Sequence, residues 1–295
     1  MEVASSLLIA ELSTHHQETK MQDTIVTTYC LCADMLRGLG HRDDPQARLS
    51  SAEVMTVPLV AAAFFGGKVE RARVFLLEHG YIRQPLSKSR LNRRLHALPL
   101  SLWQTLFDLL GEVFKQHNAT SAYTVDSMPL PACDNIRIQR CKLLPQEAHR
   151  GYCASKRRFF FGLKVHLLIT GSGEPVEFVL TPGATGDLNG LKALPLELPA
   201  GSKIHADRAY TDYQEEDLLL EAGGILLQSQ RKGNAKRPLA PWLEFLGKPV
   251  RQRIETTFSQ LEALLPRHIH AVTQRGFVLK TMCFLLAVSI GYLTR

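Results

Sequence analysis

The chain has 295 residues, of which 45% are hydrophobic and 21% charged, and this composition predicts a soluble globular protein of one large domain or two smaller ones. Its net charge of +7 favours a polyanionic partner. The six cysteines include no C-x-x-C pair, which excludes paired zinc-ligand spacing and predicts free thiols.

The first predicted region, residues 24–118, is helical because its apolar residues recur every three or four positions. The run "LSSAEVMTVPLVAAAFF" opens with a capping box formed by Ser50 and Glu53. Pro58 lies inside this run and is expected to bend or split the helix. The polar stretch "NATSA" then marks a domain boundary.

Beyond this boundary the pattern changes to short apolar runs typical of strands. Predicted strands are "AYTVDSMP", "RRFFFGLKVHLLIT", "EPVEFVLTPG", "GSKIHADRAY" and "GILLQSQ", and predicted helices are "DLNGLKALP", "YQEEDLLLEAG" and "VRQRIETTFSQLEALL". The order of elements indicates an α/β fold with a mixed sheet flanked by helices. We therefore predict an all-helical domain over 1–118 and a sheet-containing domain over 119–295.

The two ends of the chain bear on localisation. The N-terminal residues lack the features of a signal peptide, so a cytoplasmic protein is expected. The C-terminal run "GFVLKTMCFLLAVSIGYL" is interrupted by Lys280 and predicts a buried helix rather than a membrane span.

Three acids carry the functional prediction. Asp126 follows "AYTV" and Asp207 follows "KIHA", so each is predicted at the end of an apolar strand, where a charge needs a partner or a metal ion. Either acid alone is better explained as a residue that begins a turn or caps a helix. Glu255 borders the apolar stripe of a later helix, a position from which it could face the strand ends. The alternative is an ordinary i, i+4 ion pair with Arg251.

In this order, the acids and their surroundings resemble the DDE transposases of bacterial insertion sequences. The resemblance rests on "TVDSMPLP", "HADRAYTD" and "RQRIETTFSQLEALLPRHIHAVTQRGF" and covers about residues 120–292. It implies a ribonuclease H-like catalytic domain with Asp126, Asp207 and Glu255 as catalytic residues and metal ligands. A basic residue is often found seven positions after the family's Glu, whereas this chain has Glu262.

The resemblance also implies a cofactor: two Mg²⁺ ions, for which Mn²⁺ can substitute, clamping the attacking and leaving oxygens of a phosphodiester. Asp126 would bridge both ions, with Asp207 on one and Glu255 on the other. His205 is expected to be a packed histidine, Asp187 a helix cap or a supporting residue, and Asp134 a turn residue.

Basic segments predict where DNA binds. Two basic loops flank the acids. A third basic run, "RQPLSKSRLNRRLHAL", is either a candidate recognition helix of a helix-turn-helix-like domain or an ordinary basic surface helix. The predicted DNA contacts are Arg90, Asn92, Arg93 and Arg94 in this helix and Arg157, Arg158, Arg231, Lys232 and Arg251 near the acids.

The leading functional hypothesis is a DNA transposase that binds its element ends, cleaves them and joins them to target DNA. The alternatives are a ribonuclease H-like nuclease without strand transfer and a transposase-derived protein that only binds DNA. Joining two ends requires at least two subunits, so a homodimer or larger assembly on DNA is expected, with no membrane partner.

Overall fold

The structure is a computed structural model that describes residues 2–144, 147–153 and 157–295, apart from the side chains of residues 2–17, 135 and 246. The chain forms two compact units. The first comprises Met1–Leu106 and Met282–Arg295, and the second Phe107–Thr281. The first unit thus includes the C-terminal residues, which the division predicted at residue 118 assigns to the sheet domain.

The first unit is helical, as predicted. Its helices are α1 (Glu2–Gly38), α2 (Ser51–Phe64), α3 (Val69–Glu78), α4 (Lys88–Ala97), the start of α5 (Leu100–His117) and the end of α9 (Gln274–Leu293). The C-terminal residues belong here because Thr294 hydrogen-bonds Thr24 and the Phe284 ring packs against Gly67.

Helix α2 confirms one sequence expectation and corrects another. The capping box of Ser50 and Glu53 is present at its start. Pro58, however, lies inside a continuous helix, because α2 is buried on most of its surface and packing holds its turns together. The break comes later, where Gly66 and Gly67 adopt positive φ and α3 leaves at 109°.

The second unit contains a six-stranded sheet within the described part of the chain. Its strands are β1 (Ala122–Cys133), β2 (Arg150–Cys153), β3 (Arg158–Thr170), β4 (Pro175–Pro182), β5 (Lys203–Ala206) and β6 (Leu226–Ser229). β3 pairs antiparallel with β1, β2 and β4, whereas β5 pairs parallel with β1 and β6. Four strands joined by antiparallel pairing, followed by two parallel ones, confirm the predicted ribonuclease H-like mixed sheet.

β1 is longer than the sequence predicts, because it continues through Pro129 and Pro131. Proline lacks the N–H that a central strand must donate. Among the described residues, β5 pairs only with Ala122–Thr124, so beyond this point one edge of β1 has no neighbouring strand and tolerates proline. As a result Asp126 lies within β1 and not at its end.

The second unit also contains α6 (Asp187–Lys192), α7 (Tyr213–Gly223) and α8 (Pro241–Leu264), together with the rest of α5 and the start of α9. α8 begins nine residues before the predicted start and packs on β1. α9 is long and apolar enough to span a membrane, but 72% of its most apolar window is buried in protein, as expected of a core helix.

Candidate active site and nucleic-acid contacts

Asp126 lies within β1, and Asp207 directly follows β5, the parallel neighbour of β1. Thr124 of β1 is the register partner of His205 of β5, and each aspartate follows two residues later. Because side chains alternate along a strand, both aspartates point to the same face. The strand register therefore brings together two acids that are 81 positions apart in the sequence.

Helix α8 positions Glu255 near this pair. The Thr124 hydroxyl donates to the Val250 carbonyl at 3.1 Å, which fixes α8 against β1. Ile254 and Thr257 are buried, and the Thr257 hydroxyl donates to the Gly173 carbonyl at 2.8 Å. Glu255 stands on the exposed side of this anchored turn.

The environment of Asp126 disfavours its charge. Partial burial and, to a smaller extent, the carboxylates of Asp207, Asp187 and Glu255 together raise its pKa to about 7. One hydrogen bond opposes this, from the Ser127 N–H to Asp126 Oδ1 at 2.7 Å. In the described part of the chain, Asp126 forms no ion pair.

Asp207 lies at the rim of the sheet and reaches solvent. The protein around it still removes part of its hydration, which raises its pKa, and the nearby Asp187 acts in the same direction. A hydrogen bond from the Ala209 N–H at 2.8 Å and the charges of Arg251 and Arg208 act against this rise.

Asp187 is a fourth acid at this centre, and its contacts show a supporting residue. It stands in the first turn of α6, where its Oδ1 accepts hydrogen bonds from the Ser127 hydroxyl at 2.6 Å and the Lys164 ammonium at 3.2 Å. Lys164 also donates to the Thr185 carbonyl at 2.9 Å. These contacts tie the loop before α6 to β1 and β3.

Helix α6 packs against the ring of a buried histidine, His166. A methyl group at Gly190 would overlap the His166 ring, so the helix can lie this close only with glycine there. His166 Nε2 is hydrogen-bonded to the Thr181 hydroxyl at 3.0 Å. Burial lowers the pKa of His166 to about 4, so the ring is neutral at physiological pH.

Tyr210 is the tyrosine of the "HADRAYTD" motif, and its side chain is buried. It ends a short 3-10 turn, and its hydroxyl has no hydrogen bond of good geometry in the described part of the structure. Burial raises its pKa, as do the charges of Asp126, Asp187 and Asp207. The hydroxyl therefore stays protonated and is available as a donor beside the acids.

Divalent metal ions fit the chemistry of this centre. The acids offer hard carboxylate oxygens, and a cation would relieve their mutual repulsion. Among the described residues, no three His, Cys, Asp or Glu side chains are gathered closely enough to hold an ion together. Mg²⁺ commonly takes only one or two carboxylates, with water and substrate phosphates completing its shell, so this spacing is compatible with it.

A cationic hollow of about 380 Å³ adjoins Asp207 between β5, β6 and the start of α8. Arg208, Lys248 and Arg251 line it together with Gln228. His205 is buried in its wall, and burial lowers its pKa, as do the charges of Arg251 and Lys203. His205 is thus the packed histidine that the sequence predicts.

Arg231, which was predicted to contact DNA, lies in the wall of this hollow. Its guanidinium makes two hydrogen bonds of 2.7 Å to the Glu216 carboxylate and is buried. A guanidinium committed to an internal ion pair is not free for a phosphate. The neighbouring Lys232 is exposed, as are Arg157 and Arg158 at the start of β3.

Helix α4 of the first unit presents Arg90, Asn92 and Arg93 to solvent, whereas Leu91 and Leu95 are buried. Arg94, predicted to be exposed as well, turns inward. It donates to the Leu49 carbonyl and lies 3.5 Å from Asp43. The exposed basic face of α4 therefore comprises Arg90 and Arg93 without Arg94.

A ribonuclease H-like sheet with acids at neighbouring strands and a cationic hollow beside them is typical of proteins that act on the phosphodiester backbone of nucleic acid. The family model described as "Transposase DDE domain" matches residues 116–270, more than half of the chain. The chain therefore belongs to the DDE-domain transposases, a family that uses divalent metal ions.

Two further comparisons concern individual proteins. No curated protein matches the chain. Among solved structures, the chain is similar to the cryo-EM structure of the piggyBac transposase synaptic complex with hairpin DNA. The two are 10% identical with a TM-score of 0.46, over 92% of this chain and 72% of that one.

Proposed function

We propose that this transposase binds the ends of a bacterial insertion element, cleaves phosphodiester bonds there with two divalent metal ions, and transfers the 3′-hydroxyl ends to target DNA. One observation carries the proposal. Asp126 on β1 interacts with Asp207, which follows the neighbouring parallel strand β5, and with Asp187 and Glu255, without a basic partner among the described residues. Such an arrangement costs folding free energy unless a cation binds.

We assign Asp126, Asp207 and Glu255 as the residues that hold the metal ions, with Mg²⁺ as the physiological ion and Mn²⁺ as its substitute. Asp126, which interacts with both other acids, is assigned as the shared ligand. When bound, divalent ions supply an activated nucleophile and stabilise the leaving oxygen. Asp187 positions Asp126 through Ser127, and the buried Tyr210 hydroxyl is a donor beside the acids.

DNA binding is assigned to two surfaces. In the second unit, Arg208, Lys248 and Arg251 line the hollow beside Asp207 and would neutralise phosphates next to the reacting one. In the first unit, the exposed side of α4 offers arginine and asparagine, which recognise guanine and adenine edges. Bringing two element ends together calls for a homodimer or a larger assembly on DNA.

The test is a cleavage and joining assay on DNA that carries the sequences flanking the gene, with Mg²⁺ or Mn²⁺. Wild-type protein is compared with Asp207→Asn, and with Asp217→Asn as a matched control because Asp217 is an exposed acid paired with Arg237. We expect metal-dependent nicking and joining in wild type and in Asp217→Asn, abolished by chelation and by Asp207→Asn.

Three outcomes would contradict parts of the proposal. Normal cleavage by Asp207→Asn would remove that residue from the active site. Nicking without joined products would favour a nuclease that does not transfer strands. DNA binding with no cleavage by any form of the protein would indicate a transposase-derived DNA-binding protein.

A further inference from the structure

Two aromatic side chains are exposed together at the β2 edge of the sheet. Tyr152 of β2 and Phe159 of β3 are register partners, with ring centroids 5.0 Å apart and planes tilted by 59°. Their exposed fractions are 51% and 53%. Large aromatic side chains normally bury most of their surface, and a pair that does not is typical of a binding surface.

An arginine shares this face. Arg150 precedes Tyr152 by two residues in β2, so both side chains point the same way. Its guanidinium carbon lies 5.5 Å from the centre of the Phe159 ring, within the range of a cation–π contact. Arg150, Tyr152 and Phe159 together are called the aromatic–arginine patch below.

The strands beneath the patch are firmly anchored. Phe160 and Phe161, which follow Phe159 in β3, are both buried. β3 continues from there as a central strand, paired with β1 on one side and with β2 and β4 on the other. The exposed rings are therefore held on a packed sheet, where ordering them costs little further conformational entropy on binding.

The patch is distinct from the acidic centre. Phe159 lies eight residues before Leu167, the register partner of Asp126, which is about 26 Å along a strand. Two adjoining hollows of about 310 and 280 Å³ occupy the intervening surface, and both are lined by Pro131, Arg158 and Arg267. Basic side chains thus continue from the region of β1 that follows Asp126 to the patch.

We propose that the aromatic–arginine patch binds unpaired nucleotides of a DNA strand. Bases would stack on Tyr152 and Phe159, while Arg150 and the exposed Arg157 and Arg158 neutralise the neighbouring phosphates. The bases of a duplex are already stacked and offer no free face to these rings, so the patch selects single strands. This inference rests on the proposed function, because cleavage at an element end exposes unpaired strands.

The test measures binding of a fluorescein-labelled oligothymidylate of about 12 nucleotides, the upper range of such sites, and of a duplex of equal length. The full-length chain is compared with the double variant Tyr152→Ala/Phe159→Ala. We expect the double variant to bind the single strand about tenfold more weakly, the scale of losing base stacking, and the duplex as wild type does. The variant Tyr152→Phe/Phe159→Tyr keeps both rings and is expected to restore single-strand binding.

Tyr29→Ala serves as a control that removes an exposed ring from the first unit, and it is expected to leave single-strand affinity unchanged. Unchanged single-strand affinity in the double alanine variant would overturn the proposal. So would an equal loss on single strand and duplex, since that indicates a general electrostatic effect. A change in oligomeric state by sedimentation, with single-strand binding intact, would show instead that the patch contacts a second copy of the chain.

The assay also separates this inference from the proposed function. Asp217→Asn, at the exposed acid that serves as the control for cleavage, is expected to bind the oligothymidylate as wild type does. If Asp207→Asn fails to stop cleavage while the double alanine variant loses single-strand binding, the proposed active site is wrong and the patch stands. The opposite pair of results would retain the active site and remove the patch.

Discussion

Glu177 and Asp126 of the second unit are both shielded from water, but their carboxylates have different hydrogen-bond and charge partners. Glu177 of β4 is buried, and its oxygens accept hydrogen bonds from the Lys115 ammonium at 2.9 Å and from the N–H groups of Leu196 and Glu197 at 2.7 and 2.9 Å. Asp126 of β1 is half-buried and accepts a hydrogen bond from the next N–H in the chain, with other acids nearby.

The difference lies in what balances each charge. The charge of Glu177 is balanced within the fold, so the carboxylate needs nothing from outside. The charge of Asp126 is opposed by its surroundings, and a bound cation would remove that penalty. A desolvated acid without a basic partner is therefore a stronger indication of a ligand than burial alone.

The largest expected effect is on the rate of DNA cleavage. Asp126→Asn is expected to lower the single-turnover cleavage rate by about 10²–10³-fold or more, because a charged group at the reacting atoms is lost. Asp187→Asn should lower it by only about 10–100-fold, as expected of a residue that supports ligands. Glu177→Gln should leave the rate per folded molecule unchanged. If Asp187→Asn were as inactive as Asp126→Asn, Asp187 would belong among the metal ligands.

The order of the acids along the chain could be predicted from the sequence, and so could the type of sheet. Each strand is a compact apolar run, and the "HADRAYTD" and "RQRIETTF" motifs carry their acids in a local pattern. The register of β1 and β5 then places Asp126 and Asp207 side by side. The catalytic and metal-binding roles of these residues stay predictions.

Contacts between distant segments could not be predicted in this way. The role of Asp187 depends on Ser127 and Lys164, which meet it only when β1, β3 and α6 pack together. Arg231 lies in a basic run, and the sequence gives no indication that Glu216 pairs with it. Likewise β2 is too short for its pattern to stand out from the basic loop around it.

The next expected effect is on stability. Glu177→Gln is expected to cost about 3 kcal/mol of unfolding free energy, the lower end for breaking a buried pair. The reason for the low value is that Lys115 keeps a second partner, Glu112, at 2.9 Å. Urea denaturation measures the change. A loss of the same size in Asp126→Asn without metal would contradict the comparison, because that carboxylate should not stabilise the fold.

Asp126 should instead destabilise the metal-free protein at neutral pH. Its pKa is about 7 in the folded chain against an ordinary value of 3.8, so the folded state binds more protons between these values. Its contribution to stability is thus fully present below about pH 4 and is lost as the pH rises to about 7.

In metal-free buffer at pH 8, Asp126→Asn is therefore expected to be more stable than wild type, by on the order of 1–2 kcal/mol. The difference should shrink as the pH is lowered towards 4, and thermal melts across this range measure it. Added Mg²⁺ should raise the Tm of wild type more than that of the variant. Equal responses of both proteins to pH and to Mg²⁺ would show that Asp126 does not hold the ion.

The smallest expected effect distinguishes the exposed arginines of α4 from Arg94, whose guanidinium has partners within the first unit. Arg90 and Arg93 are exposed on α4, whereas Arg94 donates to the Leu49 carbonyl and faces Asp43. The double variant Arg90→Ala/Arg93→Ala is expected to weaken binding of element-end DNA roughly tenfold and to flatten its salt dependence, with Tm unchanged. Arg94→Ala should lower Tm, because it removes the donor to the Leu49 carbonyl and the ion pair with Asp43. Equal losses of affinity in both variants would mean that exposure does not decide which arginine meets DNA, and unchanged affinity in the double variant would remove α4 as the recognition helix.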